Sequence, residues 1–220
     1  MSAHYDTFFI PKSSGGMRQI NAPKTYLKSL MYNIKDVFEN KLHVLYHNNA
    51  YAYVKGRSTK LALECHQKNN SRWFLKIDLK DFFPSCNLNL LRSQLSRIYP
   101  FSEHFRDAES TAILHEILQL CLLEGGLPQG TPLSPMLTNL IMIPFDNALQ
   151  CYANSKGYVY TRYADDILIS AKESFSYPTV VSMIGRILTQ LGYPFIIKEE
   201  KTRYGSAAGR NWNLGLMLNK

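Results

Sequence analysis

The sequence runs to 220 residues, long enough to bury a core without disulfide or metal staples. With 45% hydrophobic, 12% aromatic and 19% charged residues it has the composition of a globular protein, which excludes a disordered chain. A formal charge of +8 points to a polyanionic partner, and no apolar run reaches the roughly eighteen residues of a membrane span.

The distribution of charge says more than its sum. Residues 1–76 carry twelve Lys/Arg against four acids, residues 77–170 six against ten, and residues 171–220 seven against three. An acidic middle therefore lies between basic flanks, which scattered surface lysines explain as well as a nucleic-acid partner does. The central acids are different, because several sit inside strand-like apolar runs where an unpaired carboxylate is costly. Cys65, Cys86, Cys121 and Cys151 fit neither a zinc motif nor a disulfide framework, and the histidines show no ligand spacing. The opening residues have no basic stretch followed by an apolar one, so a cytoplasmic location without membrane attachment is expected.

In chain order, Phe8–Lys12, the turn Ser13–Gly16 and Met17–Ile20 predict a hairpin. Pro23 opens a helical pattern carried by Leu27, Leu30, Met31, Ile34, Val37 and Phe38. Residues 51–58 form a loop leading into a helix near 59–69. Trp73–Leu79 is a buried strand by composition, ending at Asp81-Phe82-Phe83-Pro84. Asn87 caps a predicted helix from 88 to about 98, residues 106–123 are helical by spacing, and Gly125–Gly130 form a rigid loop. One long apolar helix is predicted from about 132 to 153. Tyr158–Tyr163 and Ile167–Ala171 are short strands flanking Ala164-Asp165-Asp166, which puts those acids at a hairpin tip. A helix around 177–191 and strands at 194–198 and 211–218 complete an α+β arrangement whose strands are packed on one side by helices.

If the strand carrying Asp78 neighbours the hairpin carrying Asp165 and Asp166, three carboxylates converge. An Asp-Asp pair alone is more commonly a polar turn. Three converging acids, however, tolerate ionisation only where a multivalent cation neutralises them, and oxygen-only ligands favour Mg²⁺ or Mn²⁺ over zinc. Two such ions about 3.5–4 Å apart suit an in-line phosphoryl transfer.

The acids keep ordered company. Ile77-Asp78-Leu79-Lys80-Asp81-Phe82-Phe83-Pro84-Ser85, then Gly126-Leu127-Pro128-Gln129-Gly130-Thr131-Pro132-Leu133-Ser134-Pro135, then Tyr160-Thr161-Arg162-Tyr163-Ala164-Asp165-Asp166 resemble motifs A, B and C of the reverse transcriptase family. The resemblance runs from Phe8 to about Leu218, and its wording is most similar to bacterial retron and group II intron-like enzymes. Two stretches depart from the retron pattern, Leu61-Ala62-Leu63-Glu64-Cys65-His66 and Asn213-Leu214-Gly215, and leave the subgroup open.

The resemblance implies the fingers and palm of a right-hand polymerase, with an antiparallel palm sheet backed by helices: fingers over 1–72 and 87–127, palm over 73–86 and 128–220, and no thumb within these residues. It implies an RNA-directed DNA polymerase adding dNTPs to a primer 3′-hydroxyl, with Asp78, Asp165 and Asp166 catalytic and, together with Leu79, holding two Mg²⁺ ions or Mn²⁺ in their place. Lys12, Arg18, Asp81, Phe82, Phe83, Gln129 and Lys201 fall at dNTP-binding positions. Lys55, Gly56, Arg57, Ser58, Pro128, Gly130, Tyr163, Leu214 and Gly215 fall at template or primer positions. The partners implied are an RNA template, a DNA or RNA primer and dNTPs, with a cognate structured RNA as a further candidate.

Physical chemistry fits several of these roles. A ring at Phe83 would clash with a 2′-hydroxyl and so favour deoxynucleotides, while one of the Phe82-Phe83 pair is needed for packing. Backbone amides near Asp81 and Phe82 suit triphosphate oxygens. Lys12 and Arg18 can clamp phosphates from one side of the hairpin. Lys201 can act as a general acid to pyrophosphate or simply pair with Glu199 and Glu200. Lys55, Arg57, Lys60, Lys68 and Arg72 suit sequence-blind contact with a template backbone. A rival expectation is a nucleic-acid-binding or assembly module of polymerase shape with little synthesis of its own.

Overall fold

Two strands open the chain, β1 (Tyr5–Pro11) and β2 (Met17–Pro23), paired antiparallel with Phe8 opposite Ile20 and Ile10 opposite Arg18. The structure is a computed structural model and describes residues 2–11, 15–41, 46–208, 212–213 and 216–217. After the hairpin come α1 (Thr25–Asp36), running into a π-helical turn at Val37–Lys41, α2 (Thr59–Lys68), β3 (Trp73–Lys80) and α3 (Leu88–Leu95). A 3-10 turn at Phe101–Phe105 precedes α4 (Ala108–Leu120), α5 (Leu133–Ile141) and α6 (Ile143–Lys156). The last elements are β4 (Val159–Tyr163), β5 (Asp166–Ala171), α7 (Tyr177–Leu191), β6 (Ile196–Ile197), β7 (Arg203–Ser206), and the paired β8 (Trp212–Asn213) and β9 (Leu216–Met217). The mixed helix-and-antiparallel-strand content is the α+β class expected from sequence.

Several elements differ from the sequence reading, the following among them. The helix predicted over 132–153 is two helices, because Pro144 lacks the N–H needed to continue the ladder and the chain restarts at Met142, whose carbonyl accepts from the Asp146 amide at 2.8 Å. The strand predicted over 211–218 is represented by β8 and β9, with 211, 214, 215 and 218 outside the described residues. β7 is an addition to the predicted elements: its Arg203-Tyr204-Gly205-Ser206 carries no alternating apolar pattern and pairs with β3 through the backbone.

The chain folds as two compact units, one of Met1–Leu45 with Phe83–Ile141 and the other of Tyr46–Phe82 with Met142–Lys220. These divide the chain at other residues than the fingers and palm ranges read from the sequence.

In the first unit α5 packs against α1 and α3, and α3 against α4. Met31, Leu91, Leu95, Leu118, Leu137 and Leu140 form its interior, and Phe38 meets Phe101 edge-on at 5.1 Å between centroids. Asn87 caps α3, its side chain accepting from the Leu90 amide at 2.9 Å. The loop into α5 lies close against the chain: a Cβ on Gly126 would run into the backbone of Pro84, and one on Gly130, at φ +105°, would meet the Ile20 side chain.

The second unit is built on a five-stranded antiparallel sheet ordered β4-β5-β3-β6, with β7 also on β3. β6 pairs Leu79 and Lys80, while β7 pairs Trp73 to Lys76, so both occupy one edge of β3. β3 and β5 bury Leu75, Ile77, Leu79, Ile167 and Ile169 completely on one face, while Lys76, Asp78 and Asp166 alternate onto the other. Helix α6 packs against β4 and α7, and α2 against β4. On the α2 side, Leu63 joins Phe74 and Leu168 in a small apolar cluster.

Candidate active site

Strand pairing decides where the acids go. In the antiparallel β3–β5 ladder Asp78 is the direct partner of Asp166, and the Leu79 amide donates to the Asp165 carbonyl at 3.2 Å. Cross-strand partners share a face. Asp78 and Lys76 on β3 therefore lie on the same face as Asp166 on β5 and Tyr163 on β4, while Asp165 occupies the two-residue turn with Ala164. Asp166 is thus the first residue of β5 rather than part of the hairpin tip.

Burial and crowding push these acids up, against the lowering pull of the neighbouring lysines. Burial raises the Asp165 carboxyl to about 6, helped by the adjacent Asp166 and Asp78 charges. Burial also raises Asp166, against the lowering effect of Lys76. Lys198 sits 2.5 Å from Asp78 Oδ1, Lys201 3.4 Å from Asp78 Oδ2, and Lys76 3.2 Å from Asp166 Oδ1. For Lys198 burial works to lower the ammonium, yet the hydrogen bond and charge of Asp78 leave it raised overall. The turn after β6 delivers two of these lysines: the Lys198 amide donates to the Asp78 carbonyl at 2.9 Å, and the Lys201 amide donates to the Lys198 carbonyl at 3.2 Å.

The donor set fits a hard divalent cation. Asp78 Oδ1 and Asp166 Oδ1 are buried and accept no hydrogen bond of regular geometry among the described residues, and every donor here is an oxygen. Among the described residues no three His, Cys, Asp or Glu side chains are gathered as a metal site, and Lys76, Lys198 and Lys201 stand against the carboxylates. An ion binding here has to displace lysine from carboxylate.

The reverse transcriptase (RNA-dependent DNA polymerase) family profile matches residues 10–216. The chain belongs to the reverse transcriptase family. Among relatives, the retron Mx65 reverse transcriptase of Myxococcus xanthus is 35% identical over 98% of this chain and 51% of its own length. The retron Ec73 reverse transcriptase of Escherichia coli is 32% identical over 91% of this chain and 64% of its own. The chain therefore spans about half to two thirds of these relatives. Apo telomerase from Candida tropicalis shares the fold, with a TM-score of 0.61 over 92% of this chain and 44% of that one at 14% identity.

The remaining expected positions distribute as follows. In the first unit, Arg18 is exposed on β2, Phe83 is half-buried, Pro128 is buried, and the Gln129 carbonyl accepts from the Asn21 amide at 2.8 Å, which fixes the loop before the exposed Gly130. In the second, Phe82 is buried against Phe195 at 4.9 Å, so it is the packing member of the Phe82-Phe83 pair, and Asp81 is exposed with a left-handed φ of +46°. Tyr163 is half-buried beside the acids, Lys55 and Gly56 are exposed, and Ser58 caps α2 through the Leu61 amide at 3.2 Å. Arg57 donates to the His47 and Ala50 carbonyls at 2.5 and 2.6 Å, so its guanidinium ties its own loop together. Lys12, Leu214 and Gly215 lie outside the described residues.

Sequence reasoning missed Lys76, Lys198, and the Asp146–Arg162 pair on the opposite face of the sheet from Asp78 and Asp166. Lys76 was findable, since two residues along a strand returns to the same face as Asp78. Arg162 and Asp146 were findable by type, as charges inside apolar elements that demand a partner. Lys198 carried no local signal, because only the β3–β6 pairing brings it to Asp78.

Proposed function

We propose that this chain is the catalytic part of an RNA-directed DNA polymerase that extends a primer 3′-hydroxyl with deoxynucleotides on an RNA template. The observation that supports the reading is the pairing of Asp78 opposite Asp166 with the Leu79 amide on the Asp165 carbonyl, which sets the backbone of Asp78 beside the adjacent Asp165 and Asp166 from far along the sequence. Asp78, Asp165 and Asp166, with the Leu79 backbone beside them, would hold two divalent cations, Mg²⁺ or Mn²⁺, which when bound supply charge neutralisation to the attacking and leaving oxygens.

The chain's own groups do the rest. Lys201, already drawn to Asp78, supplies a proton or a positive charge to the departing pyrophosphate. Phe83 discriminates against a 2′-hydroxyl while Phe82 holds the turn from inside. Lys12, Arg18, Asp81 and Gln129 receive the nucleotide. Lys55, Gly56, Arg57, Ser58, Pro128, Gly130 and Tyr163 follow the template, and Leu214 and Gly215 the primer. In this reading the fingers are 1–72 with 87–127 and the palm 73–86 with 128–220, and the enzyme works in the cytoplasm. The relatives, named as reverse transcriptases, support an RNA template; a cognate structured RNA belongs to the proposal as a further partner.

Primer extension on an RNA template with Mg²⁺ tests the proposal, comparing the chain with Asp165→Asn. Synthesis abolished by the substitution supports it. Absence of synthesis by either protein favours the second reading, a nucleic-acid-binding module of polymerase shape.

A further inference from the structure

Behind the acids, on the opposite face of the sheet, lies a charged group that the proposed chemistry does not use. Arg162 alternates away from Tyr163 on β4 and is fully buried, as is Asp146 in the first turn of α6. The guanidinium grips the carboxylate with two bonds, Nε to Oδ1 at 2.8 Å and Nη2 to Oδ2 at 2.7 Å. The Tyr160 hydroxyl donates to Asp146 Oδ1 at 2.6 Å, so both carboxylate oxygens are satisfied. Arg162 Nη1 donates at 3.1 Å to the carbonyl of Ala164.

That last bond is the informative one. Ala164 holds a left-handed φ of +57°, a conformation that a residue with a Cβ adopts only when its surroundings impose it. Its carbonyl belongs to the peptide leading into Asp165. The carbonyl on the other side of Asp165 is held by the Leu79 amide at 3.2 Å. Asp165 is therefore clamped through the peptides before and after it, one tied to β3 and the other, through Arg162 and Asp146, to α6.

We infer that Arg162, Asp146 and Tyr160 form a positioning device that fixes the turn carrying Asp165, so that helix α6 sets the place of a catalytic carboxylate. The inference rests on the polymerase reading for its catalytic consequence and on geometry alone for the clamp. Only arginine meets the requirement: its planar fork supplies the two bonds to Asp146 and still leaves a donor for Ala164, whereas a lysine ammonium is a point charge without that fork.

Breaking one partner would strand a buried charge and risk unfolding, so the decisive variant replaces both, Arg162→Met with Asp146→Leu, since an apolar pair of similar volume commonly retains or improves stability. The full chain and this double variant are matched by thermal midpoint and then compared in two measurements. Hydrogen exchange in a peptide spanning 163–167 reads the clamp: faster exchange at matched stability is expected, and unchanged exchange overturns the inference. Single-turnover primer extension reads the consequence: kcat should fall by about 10–100-fold with KM for dNTP nearly unchanged, as displacing a reacting group by about an ångström does. An unchanged kcat, or a loss confined to KM, overturns the positioning role. If the wild-type chain synthesises nothing while the exchange responds as expected, the clamp stands and the polymerase reading falls. Arg162→Lys, tested beside it, should fail to restore the slow exchange.

Discussion

Lowering the pH from 7.5 to 5.0 should cost this chain about 2 kcal/mol of stability at His66 alone. His66 lies on α2 and is fully buried, with Nδ1 2.6 Å from the Ser170 hydroxyl and Nε2 2.8 Å from that of Thr161. The neutral ring serves both hydroxyls, donating to one and accepting from the other. A protonated ring there gains no carboxylate partner from those contacts and loses its hydration, so burial pushes the imidazole down to about 3. In the unfolded chain it titrates near 6.5. Between those values the unfolded state binds the proton that the folded state refuses, so stability is full above about 6.5 and falls as the pH drops toward 3. At about 1.4 kcal/mol per pH unit, the interval from 6.5 to 5.0 gives the quoted loss, and complete titration approaches 5 kcal/mol, comparable to the whole stability of a marginal domain.

Urea unfolding at pH 7.5, 6.0 and 5.0 measures this when His66→Gln is carried in parallel. Other groups titrate too: Asp165, raised to about 6, works the opposite way, because its charged form is the disfavoured one and stability returns as the pH falls through 6. Such contributions are common to both proteins and cancel in the difference. The wild type should lose about 2 kcal/mol more than the variant between pH 7.5 and 5.0. Parallel losses would refute the reasoning and mean that water or local opening reaches the imidazole.

At the acids, Asp165→Asn removes a charge that burial and two neighbouring carboxylates disfavour, so in divalent-free buffer at pH 7.5 it should raise stability by about 1–2 kcal/mol after solvent screening, read as a higher thermal midpoint. Lys76→Met takes away the ammonium 3.2 Å from Asp166. The metal-free chain should lose up to about 1 kcal/mol while Mn²⁺ binds several-fold tighter by titration calorimetry, the competing cation having gone. Gly126→Ala drives a methyl into the Pro84 backbone and should cost about 1–3 kcal/mol in urea with an unchanged m-value.

What the sequence made legible is what local periodicity and loop chemistry determine. The hydrophobic run of Trp73–Leu79 and the two strands around Ala164-Asp165-Asp166 announced β3, β4 and β5, and once β3 and β5 are neighbours the pairing of Asp78 with Asp166 follows from register. Asn87 announced the start of a helix, and its side chain does cap α3. The counter-ions were not legible in the same way. Lys198 reaches Asp78 because a two-residue strand, Ile196–Ile197, adds to the end of β3, and so short a pairing leaves no period to detect. Arg57 is a second case: its hydrogen bonds to the His47 and Ala50 carbonyls depend on a loop path that residue type does not encode.

The most instructive departure is the interrupted helix. A continuous helix over 132–153 would leave Asp146 in mid-helix, with its four-residue neighbours supplying only closed hydrogen bonds. The break at Met142 starts α6 anew at Ile143 and places Asp146 in its first turn, where unsatisfied amides make the helix end positive. A carboxylate there gains about 0.3–1 kcal/mol when exposed and up to about 2 kcal/mol when buried. That gain offsets part of the cost of desolvating the Asp146–Arg162 pair, whose members are both completely excluded from solvent. Pro144 thus does more than interrupt an apolar helix. By ending one helix and opening the next, it lets a buried anion sit where it can hold Arg162, and through the Ala164 carbonyl the turn that carries Asp165.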